Sequence, residues 1–147
     1  MFGKSKHLFA LFSSLALLTL GSVTAATPEA GWVGASAPNH ARPGENMVVF
    51  ARLTNTGTKT WEKAGPGRMM VSALIVDSNA NPAPEGTTDA SFSYPTPPKA
   101  AASVRLIIRA PRLPGRYTIL VGLVRAGKER REAPAAEVKR LPLVVSP

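Results

Sequence analysis

From residue 46 onward, apolar and polar residues mostly alternate with a period of two rather than 3.6. Met47, Val49, Ala51 and Leu53 alternate with Val48, Phe50, Arg52 and Thr54. Successive side chains of a strand point to opposite faces, so this pattern predicts a strand with one row turned to a core. Asn55-Thr56-Gly57-Thr58 ends it with residues that accept turns, since glycine tolerates positive φ and asparagine bonds nearby backbone. Residues 69–76 are almost continuously apolar between Gly65-Pro66-Gly67 and Asp77-Ser78-Asn79, which predicts a central strand buried on both faces.

Val104, Leu106 and Ile108 alternate with Arg105, Ile107 and Arg109; the spacing also matches a helix, but β-branched residues and the flanking Pro97-Pro98 and Pro111 favour a strand. After a turn over residues 111–115, Tyr117, Ile119, Val121 and Leu123 form another alternating row. A short first strand is expected near residues 32–35, and a last one over 138–145 whose Pro142 suits an edge. Residues 79–98 hold five prolines and read as a loop, with a brief edge strand through Ala90, Phe92 and Tyr94. Six or seven short strands, with no helix among them and no internal repeat, predict an all-β, immunoglobulin-like two-sheet β-sandwich, with a small closed barrel as the competitor.

The start of the chain follows other rules. Lys4 and Lys6 precede an apolar run over residues 8–20 and the small residues Val23-Thr24-Ala25-Ala26. This order predicts a signal peptide over residues 1–25, its run too short for a bilayer core of about 30 Å. A single sandwich domain over 26–147 would remain, periplasmic or secreted, and not an integral membrane protein after cleavage. With no cysteine anywhere, the fold must hold without disulfides, and thiol catalysis and cysteine zinc sites are excluded. Loss of Lys4 and Lys6 leaves 16 basic against 9 acidic residues, a net charge of +7. Outside the cytoplasm such a surface suits phosphorylated lipids or acidic polysaccharides better than nucleic acid.

Two motifs carry a family resemblance. Asn55-Thr56-Gly57-Thr58-Lys59-Thr60-Trp61 follows a strand introduced by Pro43-Gly44-Glu45, and Ala110-Pro111-Arg112-Leu113-Pro114-Gly115-Arg116-Tyr117 comes about fifty residues later. Together they resemble bacterial immunoglobulin-like modules related to the four-tryptophan domain of autophagy cargo receptors, over residues 32–145. Those relatives carry a tryptophan-phenylalanine pair where this chain has Gly127-Lys128-Glu129-Arg130-Arg131. Asn55, Gly57, Trp61, Pro114, Gly115 and Tyr117 are expected to be structural: Trp61 covers one end of the sandwich, and the Tyr117 hydroxyl turns back onto the preceding loop.

The basic residues are the more promising chemistry. Arg105 and Arg109 share one face of their predicted strand, while Arg125, Lys128, Arg130 and Arg131 crowd the connection after Val124, with Lys139 and Arg140 returning nearby. Joined into one patch, they would hold phosphate or carboxylate groups through the planar guanidinium fork. Glu129, Glu132 and Glu137 are the local neutralising groups. Beyond the leader, His40 is the only histidine and the carboxylates are scattered, so no catalytic residues and no cofactor are expected. A copper carrier is the first alternative, with His40, Met47, Met69 and Met70 as ligands against a competing role for the methionines in the core. A polysaccharide-binding accessory module is the second, stacking sugars on Trp32, Phe92 or Tyr94. The leading expectation is an exported, non-catalytic module that binds a protein or an anionic envelope component.

Overall fold

The structure is a computed structural model that describes residues 29–126 and 137–147 together with the backbone of residues 131 and 132. The expected signal peptide lies outside the described residues. The strands are β1 (Ala30–Ser36), β2 (His40–Ala41), β3 (Asn46–Asn55), β4 (Met69–Asp77), β5 (Pro82–Ser91), β6 (Ala101–Arg109), β7 (Gly115–Ala126), β8 (Arg131–Glu132) and β9 (Lys139–Val145). They form a three-stranded sheet in the order β1-β3-β6 and a larger sheet in the order β2-β9-β7-β4-β5, with β8 paired to β7. Every pairing is antiparallel except that of β2 with β9.

The alternating rows meet between the sheets. Met47, Val49, Ala51 and Leu53 of β3 and Val104, Leu106 and Ile108 of β6 are buried from one side. Met69, Val71, Ala73 and Ile75 of β4, Ile119, Val121 and Leu123 of β7 and Leu143 and Val145 of β9 close the core from the other. β4 is buried on both faces, as its continuous apolar run predicts. On its outward side Leu74 and Val76 form a second cluster with Leu120, against which Val138 packs.

Three local expectations need correction. Half of the proline-rich stretch read as a loop is the ten-residue strand β5. As an edge strand it accommodates Pro82 and Pro84, and its pairing with β4 shifts register between Leu74 and Val76 before it reaches Pro82. Gly86 permits the close approach, since a Cβ there would stand 2.6 Å from the Ile75 Cβ. The last strand is not a plain edge, because the short β2 pairs with its end at Val144 and Val145; Pro142 lies before that ladder begins. Phe92, read as part of a short edge strand, follows β5 and is buried against Trp61 with ring centroids 5.4 Å apart.

The two sequence motifs build the corners. Asn55 is fully buried: its Nδ2 donates to Lys59 O at 2.8 Å and Thr96 O at 2.9 Å, and its Oδ1 accepts from Gly57 N at 3.0 Å. Trp61 and Thr96 exchange two backbone hydrogen bonds of 2.9 Å, which seats the indole in the core. After Pro114 and Gly115, the Tyr117 hydroxyl donates to Leu113 O at 2.7 Å and ties the turn to the first residues of β7. Burial raises the Tyr117 pKa above its ordinary value, and the carboxylates of Asp77 and Glu85 push in the same direction.

Candidate binding face

The outward row of β3 is where polar chemistry accumulates. Antiparallel register sets Phe50 opposite Arg105, Val48 opposite Ile107, Arg52 opposite Ser103 and Asn46 opposite Arg109. On the other flank of β3, Ser36 lies opposite Phe50 and Gly34 opposite Arg52, with β1 bulging between Trp32 and Gly34. Residues directly opposite share a face, so Arg52, Arg105, Arg109, Phe50, Val48 and Ile107 stand together on the outside of the three-stranded sheet. No Asp or Glu occurs within β1, β3 or β6.

Local contacts orient these cations without neutralising them. Arg52 donates to the Ser103 hydroxyl at 3.2 Å, and Arg109 Nε donates to Gly44 O at 3.1 Å. The Arg105 guanidinium lies 6.0 Å from the centroid of the Phe50 ring, within reach of a cation–π attraction. Among the described residues, none of the three is ion-paired; the pairs are Arg125 with Glu29, Lys139 with Glu137 and Arg112 with Glu85. Glu45, the acid just before β3, has its carboxylate accepting the Arg42 backbone N–H. Beside Phe50 and Arg52, an open hollow of about 310 Å³ is lined by Val33, Gly34, Ala35, Ser36 and Ser103. Phe50 is 54% exposed, Val33 58% and Ile107 59%, unusual for large apolar side chains on strands whose other face is core.

Among the described residues, the expected basic patch is divided between the two sheets. Arg105 and Arg109 point outward from one sheet, whereas Arg125 belongs to the other. Arg125 follows the inward row of Ile119, Val121 and Leu123 in step of two, so it faces the inner side at the end of the sandwich, held by Glu29. Lys128 and Arg130 lie outside the described residues, and Arg131 is described only through its backbone in β8. Arg52 and Phe50 went unnoticed as site residues in the sequence because they occupy the polar row of β3, which the core argument sets aside.

The copper ligands do not converge either. Met47 and Met69 are core residues at opposite ends of the sandwich: Met47 is the second residue of β3, while Met69 pairs with Arg125 beside Glu29 and so lies near the Asn55 end. Met70 is buried on the other side of β4. His40 Nε2 is 2.6 Å from the Ser146 hydroxyl. Of the three aromatics considered for sugars, Phe92 is in the core, Trp32 packs partly against it and donates its indole N–H to Glu137 O at 2.6 Å, and Tyr94 is exposed.

Comparison with known proteins agrees with the architecture. No protein-family model matches the chain, and no curated protein matches it. Solved structures do. The C-terminal domain of Wzt superposes with a TM-score of 0.63 at 8% identity, covering 82% of this chain and 75% of that one. The CARDB domain of a Pyrococcus furiosus protein gives 0.51 at 14% identity over 82% of this chain and 97% of its own. The alkylpurine DNA glycosylase AlkC of Pseudomonas fluorescens gives 0.52 at 15% identity, with 97% of this chain aligned to 36% of the enzyme. At such identities the likeness is one of fold, and it defines the chain as an immunoglobulin-like β-sandwich.

Proposed function

We propose that this chain is an exported, non-catalytic binding module of the cell envelope, and that an anionic partner docks on the outer face of the three-stranded sheet. One observation carries the reading: Arg52, Arg105 and Arg109 share an exposed face that has no acidic residue in its strands and includes the exposed Phe50, and among the described residues none of the three is ion-paired. A guanidinium left in water with unused N–H donors gives up little hydration to meet a carboxylate or phosphate, and two-point contact sets its orientation. The net positive charge of the exported domain adds long-range attraction for the same partners. Export rests on the charged, apolar and small-residue order of the first 26 residues.

Cosedimentation of the mature domain with isolated envelopes, at low and high salt, is the test. The wild-type domain should sediment at low salt and be released at high salt. A triple Arg52→Gln, Arg105→Gln, Arg109→Gln variant should stay in the supernatant, while Arg125→Gln should behave as wild type. Loss of sedimentation with Arg125→Gln and retention with the triple variant would move the site to the β7–β8 end.

A further inference from the structure

The outer face of the three-stranded sheet contains more than charge, and its other features narrow the partner. We infer that the anionic partner is a linear glycan bearing carboxylates, lying along the strands with a sugar ring seated in the hollow beside Phe50. This rests on the binding reading above and adds the ligand class to it.

The spacing of the cations is the first argument. Arg52 stands level with Ser103, two residues from Arg105, and Arg109 is four residues further along β6. At the rise of a strand these steps are about 7 Å and about 13 Å, so the three arginines are rooted along a line of about 20 Å. Recognition of one phosphate, or of one lipid headgroup, gathers cations around a point. A line of separated single charges matches a polymer with acidic groups repeated along its length.

The hollow is the second. Phe50 and Arg52 line it together with the short residues Gly34, Ala35 and Ser36, so a ligand can approach the backbone of β1 closely. At about 310 Å³ it lies at the small end of ligand pockets. An aromatic face is electron-rich and attracts the electropositive C–H edge of a saturated ring, as it attracts the Arg105 guanidinium beside it. The Ser36 and Ser103 hydroxyls supply neutral donors and acceptors for sugar hydroxyls, and Arg52 retains N–H groups beyond the one given to Ser103. Charge, an aromatic wall and paired hydroxyls thus occur within one face, and acidic sugars present all three complements.

Alginate, a linear carboxylated polysaccharide, is the probe, with neutral dextran and vesicles containing phosphatidylglycerol as comparisons, measured by calorimetry or cosedimentation on the mature domain. Saturable alginate binding is expected, with no binding to dextran. Phe50→Ala should weaken it about tenfold with the salt dependence unchanged, because it removes the ring contact and no charge. Arg105→Gln should weaken it and flatten the salt dependence. Phe50→Trp should retain binding. Phe50 is largely exposed, so these variants should melt with the wild type, and their melting curves verify this. Vesicle binding that depends on the arginines, with none to alginate, overturns the glycan assignment and leaves the anionic face standing. Alginate binding indifferent to Phe50→Ala overturns the seat in the hollow. Failure of both polyanions to bind the wild type overturns the binding reading as well.

Discussion

Strand β3 ends in one kind of polar site and displays another. At its last residue, Asn55 is buried with both ends of its amide bonded, to Lys59 O, Thr96 O and Gly57 N. A few residues earlier on the outward row, Arg52 spends one donor on Ser103, and Arg105 across the register leans on Phe50 with no carboxylate partner among the described residues. The difference separates roles. A buried amide whose bonds close onto its own loop and onto Thr96 across the corner holds both in place, since each unmade bond there costs the desolvation of the group. An exposed cation with donors to spare adds almost nothing to folding and is free to meet something else. Asn55 is therefore architecture, and the arginine face is the proposed site.

Substitutions should break this contrast in a definite order. Asn55→Ala removes three hydrogen bonds at once, leaving Lys59 O and Gly57 N without their Asn55 partner and Thr96 O with only its bond from Trp61 N, and should cost about 3 kcal/mol, read as a lowered urea midpoint, with the affinity of the remaining folded protein for a polyanion unchanged. Gly86→Ala forces a Cβ into Ile75 and should cost about 2 kcal/mol by the same measurement. Tyr117→Phe loses the bond to Leu113 O and should cost about 1 kcal/mol near neutral pH. It should also change the alkaline limb. The Tyr117 pKa is raised in the folded state, so its contribution is present below the ordinary tyrosine pKa of 10.0 and is lost as pH rises through the folded value. Stability of the wild type should fall over that alkaline window more steeply than that of Tyr117→Phe. Arg105→Gln, at the other pole, should leave the midpoint within about 0.5 kcal/mol of wild type while weakening polyanion binding.

How much of this was legible in the sequence differs by region. The inward rows of β3, β6 and β7 and the double-sided burial of β4 follow from periodicity, because burial on one face or both leaves a direct mark on residue order. The Asn55 turn and the Tyr117 corner follow from residue chemistry at short range. β5 was hidden because Pro82 and Pro84 argue against a strand wherever both edges are paired, and only the fold reveals that one edge is free. The basic site was half legible. Alternation aligned Arg105 with Arg109, but proximity in sequence suggested joining them to Arg125, and the assignment of β6 and β7 to different sheets separates them. Arg52 and Phe50 join the face only through cross-strand register, with Arg105 more than fifty residues away along the chain.

Where an anionic ligand touches the domain is the decisive point. Backbone amide shifts of the isotope-labelled mature domain, followed during titration with soluble alginate, locate that contact directly. Perturbations are expected along β1, β3 and β6, centred on Gly34, Ser36, Phe50, Arg52, Ser103 and Arg105, with the Asn55–Trp61–Thr96 corner and Arg125 unmoved. Shifts concentrated on Arg125, Ala126 and the connection to β8, with the three-stranded sheet silent, would contradict that expectation.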